Sequence, residues 1–372
     1  LKAASDNGAE DGESKMDEKQ QPRRRVVVTG ATGNVGTAVV AALSQDPVVE
    51  SIVAIASRAA NWPEANVEMV IADVTENALE KYLDGADVVI HLAWLFQPTH
   101  QPAVTWRTNV LGSIRVFEAA ARANVPAIVY ASSVGAYSPG PDDQPVDETW
   151  PTHGWPEASY PLEKSYLERY LDGFERAHPQ MRIVRMRPGF IFQRESASQQ
   201  RRLFAGPFVP HSLVRSGLVP IIPDVPGLRL QALHTSDVAD AYHLAAVRST
   251  AKGAFNLAAE PVVTPAVLAE LLDARLVPVP AKAIRLALGA AWTLHAVPAS
   301  PGLFETVLQL PIMDATRART ELGWTPRYSA TEALAEFIAG LRENTGASTP
   351  PLRPKISGGR LGELRTGVGE RP

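Results

Sequence analysis

Tyr160 and Lys164 stand four residues apart in "ASYPLEKSYLERYL" (158–171), a stretch whose spacing predicts a helix starting near Pro161. Proline suits a first turn because it has no N–H to lose. Residues four apart share a helix face. An ammonium beside a phenol lowers the phenol's pKa from about 10 towards working pH, so the pair can exchange a proton with a hydroxyl or a carbonyl. Alone the pair is only suggestive. In "YASSVGAYS" (130–138), Ser132 and Ser133 close a predicted strand. A hydroxyl there can orient the reacting oxygen towards Tyr160, or simply cap the next turn. Asn109 in "TNVLGSIRV" offers a bridge to backbone and water near the lysine, or equally a helix cap.

A second constellation lies near the start. "VVVTGATGNVG" (26–36) places Gly30, Gly33 and Gly36 between a β-branched run and a helical pattern. Glycines there let the backbone approach a diphosphate, whose charge is favoured by the helix N-terminus. The spacing is G-x-x-G-x-x-G, so its position after a strand carries the argument. Proton exchange at Tyr160 then pairs with hydride exchange at a nicotinamide. Some twenty residues on, "IVAIASR" (52–58) ends in Ala56-Ser57-Arg58, where an acid usually grips the ribose of NAD. A carboxylate would repel a 2′-phosphate, whereas Ser57 can hydrogen-bond one and Arg58 can pair with it. That leans the choice between NAD and NADP towards NADP, unless Arg58 stacks on adenine or faces water.

These residues need a frame that brings strand ends to one edge. Apolar runs at 25–30, 52–58, 67–74, 86–94, 127–134 and 182–192 alternate with helical segments such as "VGTAVVAALSQ" and "VLGSIRVFEAAARAN". That pattern predicts a doubly wound parallel sheet of the α/β class, with its ligand crevice along the strand C-termini. The texture after residue 193 is Pro-rich, which suggests a smaller C-terminal lobe over the crevice. Residues 1–22 and 345–372 read as solvated tails. The run "IRLALGAAWTLHAV" (284–297) is too short for a membrane span and reads as a buried helix.

The 372 residues are 45% hydrophobic and 20% charged, with a formal net charge of -4 and no cysteine. This composition gives no reason to expect nucleic acid or an anionic membrane as a partner, and it excludes thiolate chemistry. A small-molecule substrate, a cytoplasmic setting and no metal site are expected.

"TGATGNVG", "ADVT", "IHLAW", "TNVLGS", "ASSVGAY", "YPLEK", "RPGFIF", "LHTSDVADA", "GAFNLA" and "ELGWTPRYSATEAL" occur in an order that resembles extended short-chain dehydrogenases/reductases, the NAD-dependent epimerase/dehydratase family. The likeness spans about residues 25–342. It implies a Rossmann-type domain over 23–192, joined again by segments around 230–260, and a substrate lobe over 193–344. It implies Tyr160 as acid/base, Lys164 as the lysine that tunes it and holds the nicotinamide ribose, and Ser133 as the likelier of the two serines. Cofactor contacts are expected at Gly30, Thr32, Gly33, Asn34, Val35, Gly36, Ser57, Arg58, Asp73, Val74, Leu92, Ala93, Asn109 and Pro188. A homodimer through two surface helices is common in that family.

Three departures bear on the substrate. After "RPGFIF" comes Gln193-Arg194 rather than Gly-Pro. Four residues before His234 stands Leu230, with Arg229 beside it, where nucleotide-sugar enzymes commonly carry Arg. "HLAWLFQPTH" supplies Trp94, Leu95 and Phe96. With Ser133 and Gln193, Trp94 and Phe96 are candidate substrate contacts, although packing between lobes would use them too. The departures favour a less polar alcohol or ketone over a nucleotide sugar. The expected function is hydride transfer at a hydroxyl or carbonyl carbon. The alternatives are a nucleotide-sugar epimerase with tightly bound NAD and a non-catalytic NAD(P) sensor on the same fold.

Overall fold

The structure is a computed structural model that describes residues 23–76, 78–141, 144–206 and 220–355. The expected tail segments 1–22 and 356–372 lie outside the described residues. Its strands are β1 (Arg24–Thr29), β2 (Val49–Ala56), β3 (Val67–Ile71), β4 (Val88–His91), β5 (Ala127–Ala131), β6 (Arg182–Pro188), β7 (Phe190–Phe192), β8 (Ile221–Asp224), β9 (Ala232–His234), β10 (Gly253–Leu257) and β11 (Arg275–Pro278). The helices are α1 (Asn34–Ser44), α2 (Glu80–Leu83), α3 (Pro102–Trp106), α4 (Gly112–Arg122), α5 (Ser159–Ala177), α6 (Ala197–Gln200), α7 (Thr235–Val247), α8 (Pro265–Leu272), α9 (Ala281–Thr293), α10 (Pro301–Gln309), α11 (Thr316–Thr320) and α12 (Ala330–Glu343).

Seven strands form one parallel sheet in the order β10-β6-β5-β4-β1-β2-β3. The chain winds outward from β1 to β3, then restarts at β4 and winds the other way. The order therefore reverses between β1 and β4, and a ligand crevice opens beyond their C-terminal ends. Thr29 and His91 end those two strands in register. Their side chains are joined, with Thr29 Oγ1 2.6 Å from His91 Nδ1. His91 Nε2 lies 2.8 Å from Ser113 Oγ. Burial holds this imidazole at a pKa of about 3, with Lys164 acting in the same direction, so it is a neutral tie rather than an acid or base.

Alternate strand residues enter opposite layers. Val26 and Val28 pack with Val39 and Leu43 of α1 and Tyr242 of α7. Val27 packs with Phe117 of α4 and Leu167 of α5. Each such side chain is fully buried, and its burial contributes roughly 1.5–3 kcal/mol. This doubly covered sheet is the rigid frame that carries the site. Two small sheets, β7 with β9 and β8 with β11, belong to the C-terminal half of the chain, while β10 returns to the edge of the main sheet beside β6.

Two expectations fail here. The helix expected to be buried at 284–297 is α9, and none of its residues is buried. Leu286 and Leu294 are 77% and 78% exposed. The helix packs one side against α10 and stacks Trp292 on His100 with ring centres 4.1 Å apart. An Ala- and Leu-rich run reports apolar content, not the number of faces that meet a core. Among the described residues no helix is long and apolar enough to cross a membrane. The expectation of a solvated tail from 345 also fails within 345–355, where Thr349 and Leu352 are buried, Leu352 being 1% exposed, although Ser348 and 353–355 stay exposed. Pro-rich sequence makes a poor core of its own, yet it docks where a formed surface offers hydrogen-bond partners.

Candidate active site

Gly30 follows β1 with φ +73°, and a Cβ there would stand 2.6 Å from the Ala93 backbone nitrogen. A side chain at this left-handed position would collide with the loop after β4. Gly33 differs, since its added Cβ would meet only the Gly30 carbonyl oxygen, at 3.4 Å. It is the N-cap of α1 without a side-chain cap, and it lines a cavity of about 220 Å³. An uncapped helix N-terminus facing a cavity suits a dinucleotide diphosphate. Thr32, Leu92 and Ala93 share that cavity, and Ser57, Arg58, Asp73 and Val74 line it further along. Asp73 Oδ1 accepts from the Thr75 amide at 2.8 Å and the Thr75 hydroxyl at 2.7 Å.

A second cavity of about 680 Å³ adjoins the first across Gly33, Leu92, Trp94 and Phe96, and also reaches Asn34, Val35 and Gly36. Ser133 and Tyr160 stand in its wall. Much of the remaining wall is apolar, with Phe190, Ile191, Phe192, Leu230, Val307 and Phe337. Arg201 also borders it, with Nη1 donating to the Gly206 carbonyl at 2.8 Å.

Helix α5 begins at Ser159, two residues before Pro161, so Tyr160 lies in its first turn. Burial raises the phenol to a pKa of about 12, against a lowering hydrogen bond from Ser133. The expected ammonium-to-phenol pairing is not the arrangement found. Lys164 Nζ donates to the Ala131 carbonyl at 2.5 Å and sits 3.4 Å from the Trp94 ring centre, against 5.9 Å from that of Tyr160. A buried ammonium takes the nearest acceptor and the electron-rich indole face. Burial pushes the lysine pKa well down, while Glu163 and Glu168 oppose that shift. Phe96 stacks on Tyr160 at 5.3 Å, and Trp94 meets it edge-on at 5.7 Å. Trp94 therefore packs on both Tyr160 and Lys164, Phe96 packs on Tyr160, and both aromatics line both cavities.

Four predicted contacts, Lys164 among them, border neither cavity. Asn109 is fully buried in a π-helical turn (Arg107–Leu111) and borders neither cavity. Its Oδ1 accepts from the Leu95 amide at 2.7 Å, while Nδ2 donates to the Leu95 carbonyl at 2.8 Å and to Glu163 Oε2 at 2.7 Å. Asn109 is thus a clamp on the Trp94–Phe96 loop. Gln193 Nε2 donates to Asn34 Oδ1 at 2.8 Å, tying the start of α1 to the chain after β7. Pro188 is buried at the end of β6, outside both cavity walls.

Sequence reasoning misses Glu163. It is 2% exposed and accepts from Thr105 Oγ1 at 2.6 Å as well as from Asn109. An acid beside Lys164 in the same helical turn is the signal that could have found it. Behind the serines, Glu168 accepts from Ser132 Oγ at 2.5 Å and from Arg187 Nε and Nη2, each at 2.9 Å. Arg187 Nη1 also donates to Tyr137 OH at 2.9 Å. This buried network fixes the loop after β5, where Ser133 lines the larger cavity while its Oγ accepts from the Gly135 amide at 3.0 Å and so caps the next turn.

A model of the NAD dependent epimerase/dehydratase family matches residues 26–258. The chain is 26% identical over 345 residues to an uncharacterized protein of Mycobacterium tuberculosis, covering 87% of this chain and 85% of the relative. It is 36% identical over 110 residues to the L-arabinose 1-dehydrogenase (NAD(P)(+)) of Haloferax volcanii, covering 29% of this chain and 41% of that one. Its fold is similar to that of UDP-glucose 4-epimerase of Thermus thermophilus, a structure in complex with NAD. The TM-score is 0.63 and the identity 20%, over 86% of this chain and 99% of that one.

Proposed function

The chain belongs to the NAD-dependent epimerase/dehydratase family, a family of enzymes, and we propose that it transfers hydride between NAD(P) and a bulky, largely apolar alcohol or ketone. The observation that carries the substrate class is the wall of the 680 Å³ cavity next to Tyr160. Leu230 lines that wall, and the neighbouring Arg229 donates to the Pro141 carbonyl at 2.7 Å. Phe190, Phe192, Val307 and Phe337 complete a surface that rewards apolar contact by roughly 25 cal/mol per Å² buried. A charged sugar diphosphate would lose hydration against these side chains.

Gly30, Thr32, Gly33 and the open end of α1 would hold the dinucleotide's diphosphate. Ser57 and Arg58 suit a 2′-phosphate, which makes NADP the proposed choice over NAD. Bound there, the nicotinamide supplies or accepts the hydride. Tyr160, with its pKa raised to about 12 by burial, keeps its proton at neutral pH and is set to act as the acid in ketone reduction. Ser133 orients the substrate oxygen towards it. Lys164 would act on the phenol from behind the cavity wall, its ammonium 5.9 Å from the Tyr160 ring centre.

A homodimer is proposed through the face formed by α5 and the π-helical turn that leads into α4, where Leu111, Leu162 and Tyr166 are 48%, 42% and 45% exposed. The functional reading is tested by following NADPH and NADH oxidation with bulky cyclic ketones, in parallel with UDP-galactose to UDP-glucose conversion. Ketone-dependent oxidation supports it, and sugar interconversion without ketone turnover contradicts it.

A further inference from the structure

Beyond α12 the chain turns back to the phosphate turn and lines the 220 Å³ cavity with Pro350 and Pro351. The Thr349 hydroxyl donates to the Thr32 carbonyl at 2.9 Å, inside the phosphate turn, and both residues are buried. Arg202 donates from Nη1 to the Arg353 carbonyl at 2.9 Å and from Nη2 to the Pro351 carbonyl at 2.8 Å. The segment is also braced internally. The Leu352 amide donates to the Thr349 carbonyl at 3.0 Å, and the Leu352 carbonyl accepts from the Ala347 amide at 2.9 Å. Pro350 and Pro351 line the same cavity as Gly33 and Arg202.

We propose that residues 345–355 form a clasp that belongs to the dinucleotide site, rests on Thr32, and brings Arg202 to the cavity. The proposal rests on the NAD(P) reading above. The N-terminus of α1 and Arg202, whose charge the carbonyls of Pro351 and Arg353 hold in place, border one cavity, and each favours an anion. The clasp registers on the same backbone turn that would cradle the diphosphate, so nucleotide exchange requires it to lift. Its prolines limit the freedom it gains on lifting, which helps keep it closed. Its few anchors let it open without disturbing the sheet, as an element that must open during turnover requires.

The test is a chase. Protein loaded with NADPH or NADH is mixed with excess oxidised nucleotide, and release is followed by loss of the reduced nucleotide's fluorescence. Thr349→Val keeps the side-chain shape and removes the donor to Thr32, and release should quicken about tenfold. A chain ending at Asn344 should release faster still, and thermal melting of both variants confirms that they are folded. Release from both variants as slow as from the full chain overturns the clasp while leaving the NAD(P) reading intact. A full chain that binds neither nucleotide overturns both.

Discussion

The Lys164 ammonium nitrogen lies 3.4 Å from the centre of the Trp94 indole ring. In a desolvated setting such a contact is worth roughly 2 kcal/mol and favours the protonated lysine. It therefore opposes the burial that drives the lysine pKa down. Trp94→Leu removes that support. The limb of the pH–rate profile on which activity is lost as Lys164 deprotonates should move to lower pH. An unmoved limb in a folded variant argues that the indole does not sustain the charge.

Tyr160→Phe keeps the ring that packs against Trp94 and Phe96 but removes the proton. Turnover of any ketone accepted by the wild type should fall by about 10²–10⁴-fold. Affinity for NAD(P)H, read by fluorescence titration, should change little. Full activity in the variant would remove Tyr160 from the chemistry.

Arg58 bears on nucleotide choice. Arg58→Ala should weaken NADPH binding about tenfold through loss of a charge-assisted contact, with NADH binding unaltered. Equal titration curves for wild type and variant with NADPH would assign the arginine elsewhere.

The buried Glu168 links acid stability to the loop that carries Ser133. Burial alone would raise its pKa, but Arg187, Arg185 and the Ser132 hydroxyl bring it to about 2. Its folded pKa lies below the ordinary 4.5, so its stabilisation is full above pH 4.5 and is lost as pH falls towards 2. Glu168→Gln should cost about 3 kcal/mol at pH 7 by leaving Arg187 without its bidentate partner. The gap to wild type in urea unfolding should narrow below pH 4.5, and a constant gap would contradict this account.

The parallel sheet is legible because strands buried on both faces are continuous Val- and Ile-rich runs, and Gly30, Gly33 and Gly36 interrupt the first at its end. Residues at strand ends, such as Ser133, follow from that topology. What escapes the sequence depends on contacts distant in the chain. Asn109 can be placed near the lysine, yet its grip on Leu95 depends on a π-helical turn that no local pattern announces. Helix periodicity assigns Lys164 to the phenol because it brings Tyr160 near, whereas Trp94 arrives from the loop after another strand. Residues 345–355 look solvated by composition, and only the position of Thr32, 317 residues away from Thr349, gives them a docking place.

We propose that this site passes a hydride to the carbonyl carbon of a largely apolar ketone while Tyr160 supplies the proton. The most direct measurement is reduction of a bulky cyclic ketone with NADPH carrying deuterium at both C4 positions, followed by mass and NMR determination of the product. One deuterium at the carbinol carbon, in a single stereoisomer, with formation at least a hundredfold slower in Tyr160→Phe (roughly the low end of acid–base effects), is the predicted result. Product without deuterium at that carbon, or equal formation by the variant, contradicts the account.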